Sequence, residues 1–238
     1  MGEVLVKLED VRCGYDGQEI IKGVSFEIPQ GHVFGLVGPN GHGKTTILRA
    51  ISGLIKLRSG SVYFGGDLIS SLSADQIVKK GISHIPQGDL IFSEMTVREN
   101  LLMGAYLPSA YDVRGKQIEY VYGLFPILNE RKNQIASCLS GGERRMLGVG
   151  RGLMTNSEFL MIDEPSLGLA PIVIDQIYRV IQKLKAEGRT LIVVEENASR
   201  LMDLVDDIHL LDDGNVVWNG RGEDLVNDEV LMKTYLGG

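Results

Sequence analysis

The sequence is poor in cysteine, contains no long apolar run and carries no excess of positive charge, and each shortage excludes a class of protein. Cysteine occurs twice in 238 residues, at Cys13 and Cys138. The two positions do not have the spacing of metal ligands, so we expect reduced, core-filling side chains in a cytoplasmic protein. No apolar run reaches the ~18 residues that a membrane helix requires, so we predict no transmembrane segment.

The N-terminus and the charge balance exclude further classes. The first residues, MGEVLVKLEDV, include acids and alternate as a strand does, which is not the pattern of a signal peptide, and the spacing for N-myristoylation is missing. The formal net charge is −7 at pH 7, and an acidic chain disfavours nucleic acid as a partner. With 44% hydrophobic and 23% charged residues, the composition is that of an ordered domain with one sizeable core.

Short apolar segments alternate with helical patterns, and no repeat, low-complexity stretch or linker interrupts them. Residues 32–38 are typical of a buried strand, whereas residues 174–188 form an amphipathic helical pattern that ends at a glycine. Residues of about 96–136 are mostly helical in pattern. Asp213-Gly214 between two apolar runs predicts a hairpin turn. Strands that alternate with helices predict an α/β fold with a mostly parallel sheet.

The stretch GPNGHGKTT follows an apolar strand and leads into a helical pattern. The spacing Gly38-x4-Gly43-Lys44-Thr45 is that of a phosphate-binding loop. Its glycines let backbone N–H groups wrap around phosphate oxygens, and the next helix adds the positive end of its dipole. Lys44 then reaches the β- and γ-phosphates and Thr45 binds Mg²⁺. We predict that the whole loop binds nucleotide through Gly38, Pro39, Asn40, Gly41, His42, Gly43, Lys44, Thr45 and Thr46.

A second motif, FLMIDEP, places acids at the end of an apolar strand. We predict that Asp163 holds Mg²⁺ and that Glu164 polarises the attacking water as a general base. The phosphate-binding loop alone is compatible with a kinase, a GTPase or a motor protein. The FLMIDEP motif reduces the number of these protein classes that fit the sequence. Because no guanine-reading Asn-Lys-x-Asp motif occurs, we expect ATP rather than GTP as the substrate.

A third motif, LSGGE, stands at the start of another helical pattern. Ser140 and Glu143 have the S-x-x-E spacing of a capping box. A capped helix start explains these two residues but not Gly141 and Gly142, because glycines in a first turn cost helix stability. The glycines make sense if a phosphate group approaches this helix terminus closely. We therefore predict that Gly141 and Gly142 contact nucleotide, and the family resemblance given next implies the same for Ser140 and Glu143.

The motifs GPNGHGKTT, LSGGE and MIDEPSLGLAP, in this order and spacing, make the chain resemble the ATP-binding subunits of ABC transporters over essentially its full length. The resemblance implies an ABC ATPase fold. This is a P-loop NTPase core with a mostly parallel sheet, a small antiparallel β subdomain and an inserted helical subdomain at about residues 88–138, all within one domain over 1–238. It also implies that the LSGG segment of one subunit contacts the γ-phosphate held by another, so that a head-to-tail dimer encloses two ATP molecules. By the same resemblance, Tyr15 stacks on adenine, and Gln87 contacts Mg²⁺ and the water and links the site to the helical subdomain.

The segments DEPSLGLAPI, VEENA and the terminal YLGG are similar to those of the second ATPase subunit of branched-chain amino acid importers. The likeness implies an ATPase that powers the import of branched-chain amino acids or related small solutes. Its expected partners are transmembrane permease subunits, a second ABC ATPase subunit in a homo- or heterodimer and, indirectly, a solute-binding protein. The expected location is the cytoplasmic face of the inner membrane, as a peripheral subunit.

Five positions depart from the usual family pattern or flank its motifs. Most ABC proteins have a His that contacts the γ-phosphate where this chain has Glu196. A carboxylate is repelled there unless it is protonated or turned away, so Glu196 is a candidate catalytic residue that slows hydrolysis, or it points to solvent. Ala170 replaces a common Asp as a subfamily trait, and we expect His42 to face outward. Arg144 and Arg145 either face phosphate or the partner, or form a solvated basic helix face.

Two other functions share these motifs. A soluble ABC ATPase that acts on ribosomes or DNA usually carries two ATPase cassettes or a long coiled-coil insertion, and neither is visible in 238 residues. The second alternative is a regulatory importer component that assembles but hydrolyses ATP poorly, and Glu196 is the reason to retain it. A Glu164→Gln protein that dimerises on ATP, beside a wild type that turns over, would separate a working ATPase from such a component.

Overall fold

The strands of the molecule alternate with its helices along most of the chain. The structure is a computed structural model that describes residues 2–88, 90–222 and 224. The strands in these residues are β1 (Val4–Tyr15), β2 (Gln18–Pro29), β3 (Val33–Val37), β4 (Leu57–Phe64), β5 (Asp67–Leu68), β6 (Ile82–Ile85), β7 (Phe159–Asp163), β8 (Thr190–Glu195), β9 (Asp207–Asp212) and β10 (Asn215–Gly220).

The helices begin at the capping residues and prolines that the sequence provides. They are α1 (Lys44–Ile51), α2 (Ala74–Lys79), α3 (Val97–Gly104), α4 (Pro108–Leu124), α5 (Pro126–Glu130), α6 (Gly141–Leu153) and α7 (Pro171–Ala186). Helices α4, α5 and α7 each have proline in their first turn, where its missing N–H costs nothing. Helices α3 and α6 begin with complete capping boxes, at Thr96–Glu99 and Ser140–Glu143.

The central sheet has the strand order β10-β9-β3-β8-β7-β6. Its pairs from β9 to β6 are all parallel, and only the terminal pair of β9 with β10 is antiparallel. Every residue of β3, β7 and β8 is buried, because other elements cover both faces of the sheet, and apolar side chains predominate there. The predicted α/β fold with a mostly parallel sheet is confirmed.

The carboxyl ends of four parallel neighbours lie along one edge of this sheet. Strands β3, β8, β7 and β6 run in the same direction. The chain leaves them at Gly38, Glu196, Glu164 and Pro86, respectively. Segments that are far apart in sequence therefore meet at this edge, which is where open parallel sheets bind ligands.

A second, antiparallel sheet has the order β2-β1-β4-β5. Its inward side chains form a second core together with α1 and one face of the central sheet, with Phe26 stacked on Phe34 at 4.8 Å between ring centroids. The β1–β2 turn falls at Asp16-Gly17, directly after Tyr15. This sheet is the small antiparallel β subdomain that the resemblance implies.

Residues 97–130 contain α3, α4 and α5, which pack on the buried face of α6. A Cβ on Gly104 of α3 would lie 2.1 Å from the carbonyl oxygen of Arg151 on α6, so the two helices touch through their backbones. The helical pattern predicted for about 96–136 is confirmed here. The boundary of the inserted subdomain at about 88–138 stays a prediction.

Other local expectations have mixed outcomes. The hairpin at Asp213-Gly214 is confirmed, with φ of 41° and 76°, the left-handed values of such a turn. The short helix α2 was not anticipated, although Ser73 and Gln76 form a capping box. The terminal YLGG lies outside the described residues. No helix among the described residues is both long and apolar enough to cross a membrane.

Candidate functional site

The phosphate-binding loop, residues 38–46 and called the P-loop below, follows β3 at the sheet edge. A Cβ on Gly38 would lie 2.0 Å from the carbonyl oxygen of Leu211, so glycine is required by this close approach. Gly43 has φ of 108° and immediately precedes α1, and Thr46 is buried behind the loop. The N-terminus of α1 therefore opens into the loop, where its unpaired N–H groups and dipole favour an anion.

Lys44 occupies the centre of the P-loop and is only 3% exposed. Its Nζ donates to the carbonyl oxygens of Gly38 at 2.7 Å and Pro39 at 3.1 Å, and lies 3.6 Å from Oε1 of Glu164. The buried ammonium is thus satisfied by the loop and by one carboxylate. An anion that enters the loop meets a positive charge already in place.

Thr45 and Asp163 form a hydroxyl–carboxylate pair between α1 and the end of β7. The Thr45 hydroxyl donates to Oδ2 of Asp163 at 2.8 Å. Asp163 is fully buried, and its Oδ1 has no hydrogen-bond partner among the described residues. Burial raises the pKa of the Asp163 carboxyl above its usual value, and the hydrogen bond from Thr45 partly counters this. A buried carboxylate oxygen without a partner, beside a hydroxyl, has the donor chemistry that suits Mg²⁺.

Glu164 is the residue after β7, and the structure places it beside Gln87. The Gln87 side chain donates through Nε2 to Oε2 of Glu164 at 3.1 Å. Glu164 is buried and has φ of 43°, an uncommon conformation that its N–H supports by donating to the Val194 carbonyl at 2.9 Å. The predicted base, the predicted water contact and Lys44 therefore form one cluster.

The residues Ser140–Glu143 of the LSGGE motif lie outside the cluster of Lys44, Gln87 and Glu164. The Ser140 N–H donates to Oε2 of Glu143 at 2.8 Å, and the Glu143 N–H donates to the Ser140 hydroxyl at 3.3 Å. Ser140 and Glu143 line a cavity of about 600 Å³ against α7, whereas Thr45, Gln87 and Asp163 line a separate cavity of about 670 Å³. The helix cap is as predicted, but one chain does not bring this motif to its own P-loop.

Comparison with known proteins agrees with this geometry. A family model described as "ABC transporter" matches residues 21–167, which include the P-loop, Gln87, the LSGGE motif and Asp163-Glu164. The chain belongs to the ABC transporter family. It is an ATP-binding subunit with the ATPase domain of that family, and ATP is the nucleotide for which the P-loop is built.

Curated relatives match almost the whole ABC ATPase. A high-affinity branched-chain amino acid transport ATP-binding protein, BraG of Pseudomonas aeruginosa, is 38% identical over 98% of this chain and 100% of its own. A probable branched-chain amino acid transport ATP-binding protein, LivF of Archaeoglobus fulgidus, is 34% identical over 98% of this chain and 99% of its own. A lipopolysaccharide export system ATP-binding protein, LptB of Haemophilus influenzae, is 30% identical over 98% and 97%.

Solved structures share the fold. A nucleotide-free ATP-binding cassette from an ABC transporter superposes with a TM-score of 0.86 at 26% identity, over 99% of this chain and 100% of that one. The ADP conformation of an ATP-binding cassette of an ABC transporter gives the same TM-score and identity over 99% of both chains. The predicted ABC ATPase fold is confirmed.

Tyr15 and Glu196 of this ABC ATPase both lie near the P-loop or the helix that follows it. Tyr15 is half-exposed, and its hydroxyl accepts from Arg49 of α1 at 3.0 Å. Glu196 is exposed and accepts from Nδ2 of Asn40 in the P-loop at 2.9 Å. Glu196 is therefore neither isolated in solvent nor buried among the catalytic groups, but bonded to the rim of the loop.

His42 is partly exposed and forms contacts that the sequence did not predict. Its Nδ1 lies 2.6 Å from Oδ1 of Asp212, and its carbonyl accepts from the N–H of Gly214 at 3.1 Å. These bonds attach the P-loop to the β9–β10 hairpin. They could not be anticipated because Asp212 is 170 residues away in sequence and only the strand order brings it close.

Of Arg144 and Arg145, only Arg145 contradicts one of the two alternatives that the sequence left open. Arg144 is partly buried, and its Nη1 donates to the Leu139 carbonyl at 2.8 Å. Arg145 is buried and points into the protein toward the end of β7, so it belongs to no solvated basic face. The neighbouring buried residues Gly148 and Val149 are one helical turn away, and that spacing was the available signal for an inward arginine.

The sequence reasoning missed Glu195, the buried last residue of β8. Its carboxylate accepts from the Ser166 N–H at 3.2 Å, from the Ser166 hydroxyl at 2.9 Å and from the Tyr178 hydroxyl at 2.7 Å. Arg200 lies 3.8 Å from the same carboxylate and also donates to the Ser166 hydroxyl. Burial and Glu195 raise the pKa of Tyr178. A carboxylate inside an apolar strand is the signal that could have identified this network.

Proposed function

We propose that the chain is the ATP-hydrolysing subunit of an ABC importer for branched-chain amino acids or related small solutes. The observation that carries the ATPase part is the cluster of Lys44, Thr45, Asp163, Glu164 and Gln87 at the sheet edge. Three of its members, Lys44, Asp163 and Glu164, are buried. The two most similar relatives described above, BraG and LivF, support the substrate class.

In the proposed reaction the P-loop N–H groups and Lys44 bind the ATP phosphates. Thr45 and Asp163, with Gln87, would hold Mg²⁺, which when bound neutralises charge on the β- and γ-phosphate oxygens. Glu164 accepts a hydrogen bond from the attacking water and takes its proton, while Gln87 fixes the direction of the Glu164 carboxylate. The bond of Gln87 to Glu164 at 3.1 Å supports this pairing.

The proposed working unit is a head-to-tail dimer with a second ABC ATPase subunit. The separate cavities of the LSGGE motif and the P-loop support this arrangement, because each half-site needs a complement. Ser140, Gly141, Gly142 and Glu143 would then contact the γ-phosphate bound by the partner. Tyr15 would stack on the adenine, and Glu196 would face the phosphates from the rim of the loop.

Transmembrane permease subunits are further proposed partners. The cavity that holds Thr45, Gln87 and Asp163 extends to a rim of exposed apolar side chains on and beside α3, and Leu54 is 63% exposed there. A rim of this kind suits an apolar or amphipathic helix. The rim is formed by Leu54, Leu90, Phe92, Met103 and Tyr106.

The proposed location is the cytoplasmic face of the inner membrane, where protein contacts hold the subunit. A single nucleotide-binding domain over residues 1–238, with about 88–138 as the inserted helical part, completes the proposal. In it, ATP closes the dimer, the closure passes through the helical part to the permease, and hydrolysis reopens the dimer.

The test is capture of the tagged chain from membranes in mild detergent, with mass spectrometry of the captured proteins. We expect two multi-span permease subunits, a second ATPase and, in association, a solute-binding protein whose ligand names the substrate. Lipopolysaccharide export components would contradict the substrate class and favour the relationship to LptB. Ribosomal or DNA-repair proteins without permeases would contradict the transporter role.

A biochemical test separates a working ATPase from a regulatory component. Glu164→Gln should form a dimer with ATP on size-exclusion chromatography, because ATP binds but is not hydrolysed. Lys44→Ala is the matched control and should not dimerise, since it removes the buried cation that meets the phosphates. If the wild type does not hydrolyse ATP while the Glu164→Gln protein dimerises, the proposed role as the ATP-hydrolysing subunit is contradicted.

A further inference from the structure

Arg145 is a buried cation whose hydrogen bonds converge on the catalytic cluster. It lies in α6, is 4% exposed, and directs its guanidinium toward the ends of β6 and β7. Nη1 donates to the carbonyl oxygens of Pro86, at 2.7 Å, and Gly88, and Nη2 donates to the carbonyl oxygen of Asp163 at 2.7 Å. A buried charge is tolerated only with such partners, so this contact strongly constrains the local structure.

The three carbonyls belong to the backbone that carries the catalytic pair. Pro86 and Gly88 are the residues on either side of Gln87, and the Asp163 carbonyl is part of the peptide that links Asp163 to Glu164. The side chains of Gln87 and Glu164 are bonded to each other at 3.1 Å. One planar guanidinium therefore holds the main chain beneath both members of this pair.

The same helix begins with the LSGGE motif. Arg145 follows Ser140, the N-cap residue of α6, by five residues and lies in the second turn of that helix. A displacement of this helix terminus also displaces the Arg145 guanidinium and the peptide groups that it binds. The reason is that the α-helix and the planar guanidinium both have a fixed geometry.

We propose that Arg145 is a positioning residue that connects the LSGGE helix to the Gln87–Glu164 pair, so that a nucleotide engaged by the LSGGE motif promotes hydrolysis at the chain's own P-loop. The connection between the two nucleotide sites rests on the proposed dimer. The positioning of Gln87 and Glu164 is independent of that dimer, because all the Arg145 contacts that support it lie within one chain.

The experiment compares Arg145→Gln and Arg145→Lys with Arg114→Gln as the control. Arg114 lies on α4 and contacts only the carbonyl and ring of Tyr111 in the interactions the structure describes for it. We expect both Arg145 variants to lower kcat at least about tenfold while KM for ATP changes little, since Lys cannot bind carbonyls on two separate strand ends at once. The control should keep wild-type kinetics. Rates are expressed per ATP-binding site, so that a loss of folded protein does not mimic a loss of turnover.

A double-mutant cycle with Gln87→Ala distinguishes positioning from general loss of structure. If Arg145 acts through Gln87, Arg145→Lys should cause little further loss of kcat in the Gln87→Ala background. Losses that multiply in full, or an unchanged kcat for both Arg145 variants, would overturn the inference. If Arg145→Gln is unstable, Arg145→Lys and the cycle decide the question.

The coupling between sites has its own readout. In a dimeric wild type, Arg145→Lys should lower the Hill coefficient for ATP toward one, and an unchanged coefficient would overturn the proposed connection. If the wild type hydrolyses ATP without dimerising, the proposed assembly is wrong, and the kcat comparison still decides whether Arg145 positions Gln87 and Glu164.

Discussion

The first turn of α6 offers a test that separates packing from nucleotide contact, because its two glycines have different surroundings. A Cβ on Gly142 would lie 2.7 Å from Cγ2 and 3.1 Å from Cγ1 of Val173 on α7. A Cβ on Gly141 would meet only Nη2 of Arg144, at 3.9 Å. Thus the contact between α6 and α7 by itself requires glycine at Gly142, and the contact of both glycines with a phosphate stays a prediction. Nothing in the described residues requires glycine at Gly141.

The magnitudes follow from two opposing effects. Replacing glycine by alanine in a helix stabilises it by about 0.5–1 kcal/mol. Forcing a methyl group into a filled space costs about 1–3 kcal/mol. Gly142→Ala should therefore destabilise the fold by about 1–2 kcal/mol, whereas Gly141→Ala should be neutral or stabilise it by about 0.5 kcal/mol.

The assay is urea-induced unfolding, followed through the midpoint at constant slope. In a Val173→Ala background, which removes both methyl groups, Gly142→Ala should lose its cost and become neutral or stabilising. Equal destabilisation in both backgrounds would refute the steric argument. Gly141→Ala should retain stability but lose most ATPase activity, because its methyl group occupies the space through which the partner's nucleotide is proposed to approach. Full activity of Gly141→Ala would contradict that part of the proposal.

Three further predictions concern carboxylates and a histidine. Glu195→Gln should lower the free energy of unfolding by about 1–3 kcal/mol, because a neutral amide binds Ser166, Tyr178 and the nearby arginine less well; an unchanged urea midpoint would contradict this. Glu196→Gln should raise kcat for ATP, because it removes a negative charge bonded to the P-loop rim, and an equal rate would show that this charge does not oppose hydrolysis. Burial lowers the pKa of His209 from 6.5 to about 4. Between these pH values His209 is protonated in the unfolded state and neutral in the folded state. Stability should fall as pH drops from about 6.5 to 4, and His209→Phe should flatten this decline by up to about 3 kcal/mol in unfolding titrations; parallel pH profiles would exclude the effect.

Much of the fold follows from interactions that are local in sequence, and these could be predicted. The hairpin at Asp213-Gly214 and the capping box of Ser140 with Glu143 each depend on residues within a few positions of one another. Their conformations follow from allowed φ values and short-range hydrogen bonds. The apolar strands β3, β7 and β8 were equally clear, because burial on both faces of a sheet favours runs of apolar side chains.

The remaining features depend on contacts between distant segments, which no local pattern specifies. Arg145 binds the Pro86 carbonyl across 59 positions, and Thr45 binds Asp163 across 118. The contact of His42 with Asp212 and the contact of Gly142 with Val173 are of the same kind. The sequence by itself determined the motifs, and their order, that are typical of an ABC ATPase. Only the tertiary structure decided how they are held, because the order of the parallel strands sets which backbone carbonyls and carboxylates meet at the sheet edge.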